Sequence, residues 1–126
     1  MIPSKVILIL PSFFLILSGS KGQDTLSSAV LSKIDFDVSA VDDRGLLNSE
    51  VALDYEFCIP MNDATRAEIL TIEPTVSIPK LAKGRIGCSD QEWLCIVSTN
   101  GPKWKERLYA IASLPYVKHI VQTFYE

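Results

Sequence analysis

The chain has 126 residues, of which 48% are hydrophobic, and it carries twelve Lys and Arg against fifteen Asp and Glu. This length is enough for one domain with a single core and too short for two. The acidic balance argues against nucleic acid as a partner, because phosphate backbones reward basic protein surfaces.

The first 22 residues have the layout of a secretory signal peptide. Lys5 precedes an apolar run over residues 6–17, and small and polar residues follow. The run is short for a bilayer span and Pro11 interrupts it, so we expect no stable membrane anchor after cleavage. Cleavage after Gly22 is favoured, cleavage after Ser20 is nearly as good, and an uncleaved anchor is the alternative. The sequence therefore predicts a secreted or periplasmic protein.

The mature chain begins with a predicted flexible tail at residues 23–33 and continues as a single domain over residues 34–126. Alternating apolar and polar residues in IDFDVSA, residues 34–40, predict an additional N-terminal strand. Residues 51–59 alternate strictly and predict a central strand that Pro60 ends.

A helix and an edge strand are predicted next. Asn62 or Asp63 can cap a helix over residues 64–72, which a proline then stops. Residues 75–88 begin with β-branched side chains but contain Pro79 and two glycines. Because proline cannot donate to a ladder, this segment predicts an edge strand or a strand followed by a loop.

The last part of the chain predicts a strand, a helix and a strand. EWLCIVS at residues 92–98 is apolar at most positions, which is typical of a strand at the centre of a sheet. Residues 100–102 mark the start of a second helix, which must end by Leu114 because a proline follows. Residues 117–125 close the chain as a strand.

The predicted order, strand–helix–strand–strand–helix–strand, favours an α+β fold of the ferredoxin-like type. This βαββαβ plait has a four-stranded antiparallel sheet with both helices on one face. The first and third strands would be central, the second would lie at an edge, and the N-terminal strand would be an addition.

No motif in the sequence announces a chemistry. The lone His119 forms neither a catalytic triad nor a zinc site by spacing, so we expect no catalytic residue, no metal and no cofactor. Asp54 and Glu56 share the polar face of the first strand, and we expect that face to be solvated. GRIGC at residues 84–88 lacks the pattern of a phosphate loop and predicts a bulge or tight bend, with Arg85 as a possible anion contact.

Three cysteines allow one disulfide within the chain. We expect Leu94 and Ile96 to face the helices, which would place Cys95 on the open face together with Cys58. Cys58–Cys95 is therefore the first choice of pairing, followed by Cys58–Cys88 and then by Cys88–Cys95. Three buried reduced thiols are the alternative.

These features predict a small secreted, non-catalytic binding module. Its open face, around Trp93 and Val97, or alternatively its edge strand, contacts a protein partner or a second copy of the chain. Arg85 is a further contact candidate. LYAIASLPYVKHIVQ at residues 108–122 is similar to the closing helix and strand of subtilisin propeptides. That resemblance implies a protease-inhibiting plait, the first alternative. A thiol-based redox protein that uses the three cysteines is the second.

Overall fold

The computed structural model describes residues 26–125, and the predicted signal peptide lies outside them. The described residues form a mixed α+β fold. The strands are β1 (Ile34–Asp35), β2 (Leu46–Leu47), β3 (Val51–Ala52), β4 (Asp54–Pro60), β5 (Glu92–Ser98) and β6 (Ile120–Gln122). The helices are α1 (Ser28–Leu31), α2 (Asp63–Ile72) and α3 (Trp104–Ala112), with a 3₁₀ turn at Val38–Ala40. No helix among these is long and apolar enough to cross a membrane.

Four strands form one sheet in the order β1-β6-β4-β5, and β2 pairs with β3 in a separate hairpin. β1 runs parallel to β6, whereas β6 and β5 both run antiparallel to β4. The sheet is therefore mixed: both pairs that β4 makes are antiparallel, as predicted, and the additional strand β1 is the parallel member. The predicted additional strand is present as β1, but it is only two residues long before the chain turns into the 3₁₀ segment.

The edge strand predicted within residues 75–88 does not form. The segment makes a single bridge, in which Ser77 pairs with Ile96 of β5. Two residues later the chain leaves the sheet at Pro79, which lacks the N–H that a longer ladder would need. The carbonyl of Pro79 accepts from the N–H of Ala82 at 3.0 Å, so the chain turns away at this point.

The ladder between β4 and β5 decides which side chains meet. Phe57 lies opposite Cys95 and Cys58 lies opposite Leu94, so neighbouring pairs point to opposite faces. The face that carries Phe57 and Cys95 belongs to the helix-covered core. The predicted faces of β5 were therefore wrong: Cys95 is on the helix side and Leu94 on the other. Buried residues of this core include Tyr55, Phe57, Ile59, Ile69, Cys95, Val97, Trp104, Leu108, Ile111 and Ile120.

Helix α2 begins as the sequence predicts. The side chain of Asn62 accepts from the N–H of Thr65 at 2.9 Å, which satisfies one of the free donors of the first turn. Helix α3 begins at Trp104, after the predicted start at residues 100–102. The residue before it, Lys103, has a left-handed conformation, φ 63°, and its side chain makes no capping hydrogen bond. Both helices end shortly before a proline, as predicted: α2 two residues before Pro74 and α3 three residues before Pro115.

Part of the predicted tail is tied to the domain. Residues 28–31 form α1, and the N-cap side chain of Ser27 accepts from the N–H of Val30 at 3.1 Å. Lys33 then donates from Nζ to the carbonyls of Ala112 and Leu114 at 2.7 and 3.0 Å. The Lys33 ammonium group therefore satisfies carbonyl groups at the C-terminal end of α3, and its positive charge interacts favourably with the negative end of the helix dipole.

A buried hydroxyl lies near an ion pair between the helices. Glu73, which is buried, accepts from Arg107 Nε at 2.6 Å. The hydroxyl of Tyr55 is buried and, among the described residues, has no hydrogen-bond partner. Burial, followed by the negative charge of Glu73, raises the pKa of Tyr55 well above its ordinary value, so the phenol stays neutral.

We expect Tyr55→Phe to increase the free energy of unfolding by about 1 kcal/mol, because the substitution removes an unpaired buried hydroxyl and keeps the ring. Urea denaturation with an unchanged m-value would measure this change. Tyr116→Phe is the control, since that hydroxyl donates to Glu68 at 2.6 Å and its loss should not stabilise the protein. A clear loss of stability in Tyr55→Phe would contradict the prediction.

Candidate functional site: a disulfide-stapled loop over the sheet

The loop that leads from Pro79 to β5 folds back over the sheet face that the helices do not cover. We call residues 79–91 the stapled loop, because Cys88 near its end is bonded to Cys58 of β4, with the two Cα atoms 5.6 Å apart. This pairing is the second choice of the sequence analysis. Because Cys58 and Cys95 point to opposite faces of the sheet, the first choice, Cys58–Cys95, is wrong.

The third cysteine is a core residue. Cys95 is free and fully buried against the helices. Burial raises its pKa to about 12, so the thiol is neutral at physiological pH and a weak nucleophile. Any thiol chemistry of this protein therefore falls to Cys58 and Cys88.

A buried carboxylate anchors the stapled loop from below. Glu56 of β4 is only 2% exposed, which corrects the expectation of a solvated face. One carboxylate oxygen accepts from the backbone N–H of Ile86 at 3.0 Å, and the other accepts from the hydroxyl of Thr123 at 2.9 Å. The acid thus joins the stapled loop to the chain that follows β6, and its hydrogen bonds offset the cost of burying a charge.

The glycines of GRIGC make the tight bend that the sequence predicts. Gly84 and Gly87 have φ of 70° and 76°, and the N–H of Gly87 donates to the carbonyl of Gly84 at 3.1 Å. Gly84 also packs directly against the side chains of Glu56 and Leu94. A Cβ at this position would be 2.6 Å from an oxygen of Glu56 and 2.7 Å from a methyl of Leu94. The bend therefore packs against the Glu56 carboxylate, to which Ile86 donates its backbone N–H.

A further set of bonds closes the loop on itself. Lys83 donates from Nζ to the carbonyl of Ser89 at 3.1 Å and to a carboxylate oxygen of Asp90 at 2.8 Å. The hydrogen bond and charge of Lys83 lower the pKa of Asp90. The N–H of Cys88 donates to the Lys83 carbonyl at 2.9 Å. The base of the loop is thus fixed by a covalent bond, by Glu56 and by these contacts.

The tip of the stapled loop is the most exposed apolar point of the described chain. Leu81 is 98% exposed, in the turn closed by Pro79 and Ala82. Lys80 precedes it, with Nζ 5.5 Å from the ring centroid of Trp93, a cation–π distance. The loop therefore presents a leucine beside a cation that packs on an aromatic ring.

The three residues predicted to contact a partner differ in their burial. Val97 is 2% exposed and belongs to the core, so its assignment to an open surface was wrong. Trp93 is partly buried and packs against the same core while supporting Lys80. Arg85 is exposed in the stapled loop. Leu81 was missed because a single apolar residue in a polar loop carries no periodic signal.

A small cavity adjoins the disulfide. It has a volume of about 170 Å³ and is lined by Cys58, Ile86, Gly87, Glu92, Lys118 and His119. No motif in the sequence marks Glu92 or Lys118, and His119 has no catalytic or metal-binding partner by spacing. The fold brings them together because the start of β5, the end of the loop and the approach to β6 meet at one end of the sheet.

Comparison with models of protein families, with curated proteins and with solved structures returns no match. Function must therefore be argued from the geometry of the chain itself.

Two glycines of one motif give a matched test of this loop. Gly84→Ala should lower the free energy of unfolding by at least 2 kcal/mol, because it combines a left-handed backbone with a clash against Glu56 and Leu94. Gly87→Ala should cost only the backbone term of about 1 kcal/mol, since no described atom lies within 4 Å of its Cβ. Urea denaturation would compare them, and equal losses would contradict the packing of the loop on Glu56.

Proposed function

We propose that this protein is a small secreted, non-catalytic binding module and that the stapled loop carries its binding surface. The observation that carries the proposal is Leu81, 98% exposed at the tip of a loop that is fixed at its base. A single exposed leucine is ordinary on a protein surface. A leucine held out by a cross-linked loop is different, because little conformational entropy remains to be lost when a partner buries it.

The charge of the loop indicates the kind of partner. Lys80, Lys83 and Arg85 lie within six residues that contain no acid, although the whole chain is acidic. Lys83 is partly neutralised by its ion pair with Asp90. Lys80, directly next to Leu81, places a positive charge at the tip of the loop, which fits a protein surface that combines an apolar pocket with acidic side chains. We therefore name an acidic protein as the partner.

The finer fold assignment is part of the proposal. The strand order β6-β4-β5, followed by the bridge between Ser77 and Ile96, is the order of a ferredoxin-like plait whose second strand has shrunk to one residue pair. In this description β1 is an added edge strand. The lost part of the second strand is the segment that instead supplies the stapled loop, so the binding surface replaces an edge strand.

Secretion is also proposed, with the disulfide as its support, since such bonds persist in oxidising compartments. We expect the protein released from producing cells to begin at Gln23, with a mass that matches residues 23–126 and one disulfide. Mass spectrometry of the intact secreted protein would measure this. Retention in the cell with residues 1–22 still attached would contradict the assignment.

The partner is tested by photo-crosslinking from the loop tip. We expect p-benzoylphenylalanine at position 81 to cross-link a discrete acidic protein in producing cells, and the same group at position 51, an exposed site on β3, to cross-link none. With the purified partner, Leu81→Asp should weaken binding at least tenfold, because it loses about 1.5 to 3 kcal/mol of apolar burial and adds a repulsive charge.

The outcomes separate the alternatives. A cross-link to a second copy of this chain would replace the partner by self-association, and a cross-linked secreted protease would move the function to inhibition. No discrete product, or the same products from both positions, would end the assignment of the stapled loop as the binding surface.

A further inference from the structure

Three metal-ligating side chains meet beside the cavity. The Sγ atoms of Cys58 and Cys88 and a carboxylate oxygen of Glu92 all lie within 4.8 Å of one another. They come from a strand, a loop and the start of the neighbouring strand, so no sequence spacing announces them. Two sulfurs and one carboxylate form a donor set that Zn²⁺ accepts in proteins.

The carboxylate of the cluster is already oriented. One oxygen of Glu92 accepts from the N–H of Ser89 at 2.8 Å. A hydrogen bond of this kind fixes the direction of a metal ligand and leaves the second oxygen for the ion. In the disulfide form, however, the sulfurs are bonded to each other and cannot act as thiolate ligands.

We propose that reduction of the Cys58–Cys88 disulfide turns this cluster into a binding site for a thiophilic divalent metal ion, for which Zn²⁺ is the reference. A dithiol reductant supplies two electrons and two protons: the protein S–S bond breaks, two thiols form, and the reductant becomes a disulfide. Metal binding then releases both thiol protons to solvent while two metal–sulfur bonds and one metal–oxygen bond form.

The geometry fits a tetrahedral ion after a small movement. Metal–sulfur bonds of about 2.3 Å place two sulfurs roughly 3.7 Å apart in a tetrahedral site, so the sulfurs must separate once the bond between them is gone. Once the S–S bond is broken, rotation of the Cys58 and Cys88 side chains about their Cα–Cβ bonds can separate the sulfurs while the backbone contacts of both residues are kept. Cys95 takes no part because it lies on the opposite, helix-covered face.

The residues around the cluster balance its net charge and leave space for a fourth ligand of the metal ion. Two thiolates and Glu92 bring three negative charges to a divalent ion, which leaves one in excess. Lys118 lines the adjoining cavity and carries the opposite charge. Because Cys58 and Glu92 also line this cavity, the fourth coordination position opens into it, beside His119. Open positions of this kind are occupied by water or by an exogenous ligand.

Cobalt provides a direct test on the purified protein. The disulfide is reduced with a phosphine, the phosphine and its oxide are removed without oxygen, and Co²⁺ is titrated in. We expect one Co²⁺ per chain, a thiolate-to-cobalt charge-transfer band and the visible bands of a tetrahedral site. The oxidised protein should show none of them, and Zn²⁺ should displace the cobalt. Zn²⁺ should also raise the melting temperature of the reduced protein and leave that of the oxidised protein unchanged.

Matched variants locate the ligands. The Cys58→Ser/Cys88→Ser double variant lacks the disulfide just as the reduced wild type does, and it should bind no Co²⁺ through sulfur. Glu92→Gln keeps an oxygen for the Ser89 N–H and should weaken binding at least tenfold. Cys95→Ala should behave as the wild type. Absence of the charge-transfer band from the reduced wild type, its survival in the double variant, or unchanged affinity in Glu92→Gln would each overturn the proposal.

Discussion

The register between β4 and β5 is the constraint on which the rest of the structure depends. By placing Phe57 opposite Cys95, it sends one set of side chains to the helices and the alternate set, which includes Glu56 and Cys58, to the stapled loop. A shift of one residue would exchange the two sets, because side chains alternate along a strand. Core composition, the pairing of the cysteines and the burial of the carboxylate therefore all follow from one ladder.

The two faces of this sheet are covered in different ways. Helices α2 and α3 cover one face with apolar side chains, as a core usually requires. The stapled loop has few apolar residues to bury, so a covalent bond and the hydrogen bonds of Glu56 hold it instead. Across a separation of 30 residues, the chain-entropy model gives such a disulfide about 3.5 kcal/mol of stabilisation. In a domain this small that term is a large part of the net stability.

One covalent bond thus serves two proposed activities at opposite ends of the same loop. At the tip it holds Leu81 outward for a partner, and at the base its sulfurs are the latent ligands of a metal site. Partner binding and metal binding can be altered separately, since the loop tip contains no metal ligand and the metal-ligand cluster contains no exposed apolar residue. A bound ion would restore the link between loop and sheet that reduction breaks, so both oxidation states would keep the loop attached.

Local signals in the sequence determined the elements: the alternation that predicts β4, the bounds of β5, the cap at Asn62 and the prolines that end α2 and α3. They also determined the tight bend of GRIGC. The face of each β5 residue is set by tertiary packing, because both faces of that strand are buried and an apolar run does not mark which side meets the helices. The pairing of Cys58 with Cys88, the burial of Glu56 and the exposure of Leu81 depend on where residues 79–91 lie against the sheet, and no pattern within those residues marks that position.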